Sequence, residues 1–279
     1  MIYTIIDTTY SDNWSQWFAG LTDGDGCFYI SKKEGSVSFE ITTHTTDARV
    51  LYNIKNKLKA GSVRLRSNSE SVRYRVKQKT AILDIVYRLN GKLHYKARIA
   101  QYAVVCELLN VQQLPTASIL KKTDAYLSGL IDSDGSFAIS VAKSSAEDSQ
   151  ISGVAGKITR LANSKGHSQL SLKVTSIDKD LLIFVQKSYG FGSIYIQQAN
   201  KKNNQPNIIY HWTIKSYHDF QCLYEYLKKN PLKSVKMHRM RLSLLYFKYK
   251  DLGYHLKPED TIESKIWAKF CKSWFKYSY

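Results

Sequence analysis

Apolar and polar positions along the chain alternate with period two in some stretches and recur at helical spacing in others. Phe28 and Ile30 alternate with Tyr29 and Ser31. The charged Lys32-Lys33-Glu34-Gly35 turn then leads into the alternating run VSFEITT, so a hairpin is expected. Residues 47–59 place Val50, Leu51, Ile54 and Leu58 on one helical face, and Gly61 ends it. Val63-Arg64-Leu65-Arg66 and Val72-Arg73-Tyr74-Arg75-Val76-Lys77 read as two strands joined by SNSES. Helices over 81–89 and 96–111 follow.

The pattern then repeats. Residues 47–63 align with 178–194 without a gap, setting KAGSV beside GFGSI, and Asn90-Gly91 through Lys96 aligns with Asn230-Pro231 through Lys236. The second copy is longer, chiefly over 144–168, where Ser, Gly and Ala predict an extended loop between its first strands. Residues 112–122, with Pro115 and Ser118, read as a short linker, so the expected organisation is a unit over 1–111, the linker, and a unit over 123–279. Asp260 and Glu263 suit a capping box for a last helix that buries Trp267, Phe270, Cys271 and Trp274.

Each unit opens on the same kind of stretch: FAGLTDGDG at residues 18–26 and LSGLIDSDG at residues 127–135. Both read as helices, capped by Ser11 or Asp12 in the first copy and by Thr123 or Asp124 in the second, and ended by Gly26 or Gly135 as left-handed residues. Ala19-Gly20 and Ser128-Gly129 leave one side of each helix without bulk, so the two helices can pack at close range. Their ends break a local rule twice. A helix C-terminus carries partial negative charge, yet both terminate in Asp-x-Asp. Side by side, Asp25 and Asp134 would need a shared proton or a cation, and an oxygen-only site suits Mg²⁺. A calcium loop is excluded because its sixth position, which requires Gly, is Phe28 or Phe137.

The duplicated stretch resembles the two motifs of single-chain LAGLIDADG homing endonucleases, with Phe18 and Thr22 departing from the family letters at helix-facing positions. The resemblance implies an α+β fold of two pseudo-symmetric αββαββα units, with the motif helices at the interface and saddle-shaped antiparallel sheets. It further implies a metal-dependent double-strand cut in a long, nearly unique DNA site. The last acid of each motif, Asp25 and Asp134, would bind metal with the carbonyls of Gly24 and Ser133. Mg²⁺ is the expected ion, with Mn²⁺ substituting and Ca²⁺ binding without cleavage. A basic residue near the start of each later helix would assist: Lys236 after Pro231-Leu232 and, by the repeat alignment, Lys96, with Arg98 as its rival. Thr45 and Ser176, just before Asp47 and Asp178, are candidates for positioning solvent.

Charge adds an independent argument. The 279 residues carry a formal net charge of +18, an excess of cations present in both units, which calls for a polyanionic partner engaged by both. On the predicted strands Arg64, Arg66, Arg73, Arg75, Lys77 and Lys79 recur at every second position, placing cations on one face suited to a DNA major groove. The matching positions of the second unit, Tyr195, Gln197, His211, Thr213 and Lys215, are far less basic, so the two halves would read different half-sites. Double-stranded DNA bound by a monomer is therefore the expected partner. Intron RNA, bound as a splicing maturase of the same family, and a DNA-binding regulator without cleavage are the alternatives. The four cysteines show no zinc spacing, no apolar run approaches the ~20 residues of a membrane span, and the first residues suit neither a secretory signal nor a transit peptide. An intron-encoded product made within an organelle, a mitochondrion before a chloroplast, is the expectation.

Overall fold

The computed structural model describes residues 12–31, 33–142, 145–199 and 207–278. Ser11 as a cap, Lys32 in the first turn and Ser144 at the start of the expected loop lie outside these residues. Helix α1 (Asn13–Asp25) runs directly into β1 (Gly26–Ser31), followed by β2 (Ser36–His44), α2 (Ala48–Leu58), β3 (Ser62–Leu65), β4 (Ser71–Val76), α3 (Lys79–Leu89) and α4 (Lys96–Leu109). The second unit repeats this order: α5 (Tyr126–Asp134), β5 (Gly135–Val141), β6 (Ser168–Ser176), α8 (Lys179–Tyr189), β7 (Ser193–Gln197), β8 (Ile209–Ile214), α9 (Tyr217–Lys229) and α10 (Lys236–Asp251). Between β5 and β6 lie α6 (Ala146–Gln150) and α7 (Gly153–Ala162), and α11 (Ile262–Trp274) follows α10. The expected loop over 144–168 is therefore largely helical. Two of its serines mark helix starts: the Ser145 hydroxyl caps α6 by accepting from the Asp148 amide, and Ser152 is the N-cap residue of α7.

Both sheets are antiparallel with the same order, β1-β2-β4-β3 and β5-β6-β8-β7. Period two then sorts the faces. Phe39, Ile41, Tyr74 and Val76 turn inward onto Val50, Leu51 and Ile54 of α2 and Ile82, Ile85 and Val86 of α3. In the second unit Leu170, Leu172, Val174, Trp212 and Ile214 meet Leu181, Leu182 and Val185 of α8 and Phe220 and Leu223 of α9. Among the described residues, each sheet thereby packs its helices on one face. The linker is pinned at both ends: Asn90 Nδ2 donates to Gln112 O at 2.8 Å, and Leu120 N donates to Ser188 Oγ at 3.2 Å.

Several local expectations change. Asp12 caps α1 by accepting from Ser15 N at 2.7 Å, whereas the N-cap residue of α5 is Ala125, which has no side-chain cap to offer, and Asp124 instead accepts from Lys121 N. Gly26 and Gly135 are extended, with φ of −76° and −74°, not left-handed. Glycine is needed there for space: a Cβ would lie 2.9 Å from Thr22 O or 2.5 Å from Ile131 O as the helix turns sharply into its strand. Thr261, not Asp260, caps α11, which buries Trp267, Phe270, Cys271 and Trp274 as its pattern predicts.

Candidate metal centre and nucleic-acid interface

Helices α1 and α5 cross at their small residues. A Cβ on Gly20 would fall on the Tyr126 carbonyl and lie 2.8 Å from Leu130 N; one on Gly129 would fall on the Trp17 carbonyl and lie 2.7 Å from Leu21 N. The two contacts are each other's image under the repeat. Backbones this close admit no side chain, and both motifs consequently end together. Gly24 faces the opposite motif so closely that a Cβ there would meet Asp134 Oδ2 at 2.7 Å.

The two acids of each motif have separate tasks. Asp23 accepts from Tyr126 Oη at 2.6 Å and His94 N at 2.7 Å. Asp132 accepts from Trp17 Nε1 at 2.8 Å, Lys233 N at 2.9 Å and Ser234 N at 3.0 Å. The first acid of each pair therefore fastens the turn before α4 or α10 onto its motif helix, and takes a bond from the aromatic residue of the other motif. Burial pushes Asp23 up to about 7. The last acids, Asp25 and Asp134, are left at the junction. Burial and then the charge of Asp134 raise Asp25 to about 7, while burial raises Asp134 to about 6 against the pull of Lys236 and Arg98. Two carboxylates held in a state that resists ionisation fit a hard divalent cation, whose charge removes both penalties. No group of three or more His, Cys, Asp or Glu able to hold a metal exists among the described residues, so an ion here would take its remaining ligands from carbonyls, water and phosphate.

The expected basic residues divide. Lys236 Nζ donates to the carbonyls of Ile131, Asp132 and Ser133 at 3.0, 2.7 and 2.7 Å, completing the end of α5. The Ser133 carbonyl, expected as a metal ligand, is thus engaged by this ammonium. Lys96 does not occupy the equivalent place. Its exposed Nζ pairs with Asp180, and its backbone N donates to Asp178 Oδ2 at 3.1 Å. Arg98 takes the inward role, donating from Nε to Thr22 O at 3.2 Å and from Nη1 to Gln101 Oε1 at 2.6 Å. The alignment through Asn90 and Asn230 fails because the first turn is one residue longer: buried Leu93, not Lys92, matches buried Leu232. Ser176 Oγ accepts from Asp178 N at 3.0 Å, a local turn, and Thr45 lies in a 3-10 turn with its N donating to Glu70 O.

The halves also grip one another beside this centre. Asp47 Oδ1 accepts from Val235 N at 2.6 Å, the counterpart of the Asp178–Lys96 bond, and Arg49 donates to the carbonyls of Lys233 and Ser234 at 2.7 and 2.8 Å. Burial raises Asp47 above the usual carboxylate range.

On the open face of the first sheet, Arg64 pairs with Arg73 across β3–β4, and Arg75 lies opposite Ser62 and Glu40. Arg64, Arg66, Arg73 and Arg75 line a groove of about 490 Å³. Glu40 is 5% exposed and binds Arg75 Nε at 2.7 Å and Arg73 Nη1 at 3.1 Å, so the sheet contains its own anion. The acid is visible in VSFEITT, but its partners depend on the β2–β4 register. Lys77 follows β4, and Lys79 begins α3 instead of continuing the strand.

On the second sheet His211 joins Thr175 Oγ1 and Gln197 Oε1, each at 2.9 Å, and Lys215 Nζ stands 4.5 Å from the Tyr195 ring centroid. Thr213 is buried, between cross-strand neighbours Lys173 and Ser193, so this expected contact residue is covered by the sheet. Lys173 is the cation that the strand pattern missed on this face. It sits on β6, whereas the basic alternation of the first unit is carried by β3 and β4.

Comparison with known proteins agrees with this architecture. The family model described as LAGLIDADG endonuclease matches residues 18–109 and 127–243. The "Probable intron-encoded endonuclease aI2" of Debaryomyces hansenii is 34% identical over 270 residues, covering 96% of this chain and 38% of that protein. The "Intron-encoded RNA maturase bI4" of Saccharomyces cerevisiae is 30% identical over 260 residues, covering 93% and 36% respectively. The chain thus spans little more than a third of these two relatives. It covers 88% of the "Intron-encoded DNA endonuclease ai2b" of Dictyostelium discoideum, at 28% identity over 92% of its own length. Among solved structures, the I-LtrWI LAGLIDADG homing endonuclease bound to target DNA superposes with a TM-score of 0.68 at 16% identity, covering 95% of this chain and 98% of that one. The LAGLIDADG meganuclease I-AabMI bound to uncleaved DNA gives 0.62 at 19%, with coverage of 91% and 98%. With two motif regions matched, two equivalent αββαββα units and their motif helices crossed at the centre, the chain belongs to the LAGLIDADG endonuclease family.

Proposed function

We propose that this chain is a site-specific homing endonuclease that makes a metal-dependent double-strand break in a long, asymmetric DNA target, acting as a monomer. The observation that carries this reading is the meeting of Asp25 and Asp134, one from each half, where the two crossed motif helices end. Bound Mg²⁺ would supply Lewis-acid stabilisation of the attacking and departing oxygens of a phosphodiester. The chain's own contribution is positional. Asp25 and Asp134, with the Gly24 carbonyl, would hold the ion; Asp23 and Asp132 fix the basic helices; Lys236 and Arg98 would add positive charge where phosphate oxygens gain negative charge. Arg64, Arg66, Arg73, Arg75 and Lys77 would engage one half-site, and Tyr195, Gln197, His211, Lys173 and Lys215 the other.

The relatives named intron-encoded support an intron-borne origin, and a mitochondrion is the proposed compartment. No helix among the described residues is long and apolar enough to cross a membrane. The relative named RNA maturase favours a second reading, intron-RNA binding, in which the carboxylate pair is dispensable. One experiment separates the two: purified chain is incubated with duplex carrying its coding locus rejoined without the insert, in Mg²⁺ or in EDTA. Cutting at one position in Mg²⁺ alone is expected. Binding without cutting in either condition would refute the nuclease reading.

A further inference from the structure

The two sheets differ along one matched row of residues. In the first sheet the row runs Cys27, Glu40, Arg75, Ser62, and the register of the second sheet sets Ser136, Lys173, Thr213, Ser193 in the same places. Arg73 and His211 match likewise, facing Thr42 and Thr175. Two arginines less one glutamate leave one positive charge in the first half, as does Lys173 beside uncharged Thr213 and neutral His211 in the second. A lone lysine reaches that charge without taking a carboxylate out of water, so charge balance does not account for Glu40. Geometry does. The Glu40 side chain is 7% exposed, with Oε1 at 2.7 Å from Arg75 Nε and Oε2 at 3.1 Å from Arg73 Nη1. Each guanidinium meets Glu40 through one nitrogen and keeps two more for a ligand in the groove that both residues line.

Resting on the DNA-target reading above, we infer that Glu40 sets base specificity in the first half as a positioning residue, holding Arg73 and Arg75 in the orientation that reads two guanines. Guanine presents O6 and N7 as paired acceptors in the major groove, which a guanidinium matches with two nitrogens. An arginine already fixed by a carboxylate loses little side-chain freedom on binding. It also cannot swing to a phosphate without leaving a buried carboxylate uncompensated. Both restrictions favour base reading over backbone contact. The two side chains leave β4 about 6.6 Å apart and converge on one carboxylate, whereas stacked base pairs rise by about 3.4 Å. The two guanines are therefore no more than about two base steps apart. Lys173, a flexible point charge, suits a phosphate instead.

The test measures binding in EDTA, where cutting plays no part, on duplexes carrying the rejoined coding locus with each base pair substituted in turn. The unaltered chain should discriminate at two guanines of one half-site by about tenfold or more. Glu40→Gln should erase most of that discrimination at those two positions and leave the other half-site unchanged, and Arg73→Lys and Arg75→Lys should each relax one of the two. Glu40→Asp keeps the charge but withdraws it by one methylene. The same two positions should then relax with little change in the salt slope, which ties the effect to geometry. Lys173→Gln should weaken binding to all the duplexes alike. Unchanged preferences in the Glu40 variants, or a uniform loss across the half-site such as a merely structural residue gives, would overturn the inference. So would two relaxed positions that are not guanine. If Glu40→Gln does not fold, the Glu40→Asp and arginine profiles decide the matter in the same way. Absence of any preference for the locus over unrelated duplex would remove the inference together with the DNA-target reading. Selective binding without cutting in Mg²⁺ would remove the nuclease reading alone.

Discussion

At the scale of single residues, Asp25 and Asp134 carry the most specific expectations. Asp25→Asn or Asp134→Asn should reduce double-strand cutting by at least about a thousandfold, since each would remove a ligand of the proposed metal site. DNA affinity should change little, because the open faces of the sheets are untouched; full cutting by either variant would remove these residues from the centre. Their raised pKa values also set a sign. A carboxyl raised above its unfolded value makes the folded state bind protons more readily, so ionising the pair costs stability as pH rises through about 6 to 7. A divalent cation cancels that cost only when the pair is ionised. The increase in Tm on adding Mg²⁺ or Ca²⁺ should therefore be large at pH 8 and near zero at pH 5, and should vanish in the Asp25→Asn variant. A pH-independent increase would place the cation elsewhere. These two acids were legible in the sequence because a helix-end rule was broken twice. Asp23 and Asp132 were not, since their partners Tyr126 and Trp17 lie on the opposite motif and the turn residues His94, Lys233 and Ser234 lie far along the chain.

At the scale of elements, the crossing of α1 and α5 leaves no room for a side chain at either glycine. Gly20→Val or Gly129→Val would drive a side chain into a carbonyl of the facing helix, and a loss above about 4 kcal/mol, or no folded protein, is expected from chemical denaturation. Gly35 makes a control, because a Cβ there meets nothing and its φ of +58° is open to Asn; Gly35→Asn should cost less than about 1 kcal/mol. Between strands, Glu40→Gln should lower stability by about 1–2 kcal/mol and release charge from Arg73 and Arg75. The log-log salt slope of non-specific DNA binding should then steepen by roughly one or two, a change measurable by titration at several ionic strengths. An unchanged slope would mean that Glu40 does not hold these arginines back. The strands themselves followed from period two, and most helices from their 3.6-residue spacing. What failed was register: one extra residue between Asn90 and Leu93 moved Lys96 out of the site and brought Arg98 in. Alternation fixes which face a side chain takes, but a turn one residue longer is invisible to it.

At the scale of the whole molecule, a net charge of +18 and two open sheet faces joined at one centre imply a single chain on about 20 base pairs, roughly two turns of duplex. Sedimentation of the complex should give one protein per duplex. Footprints should differ between the half-sites, reflecting arginines on one side and the Thr175–His211–Gln197 chain on the other. Two chains on a palindromic footprint would contradict this architecture. The close crossing of the motif helices also bears on how the chain is made. The apolar and glycine-lined side of α1 has no partner until α5 emerges, more than a hundred residues later. At ~5–20 residues per second, that surface waits on the order of 5–20 s on the ribosome. The first half is thus synthesised with its most closely fitted face uncovered, a window in which a second nascent chain could supply the missing helix.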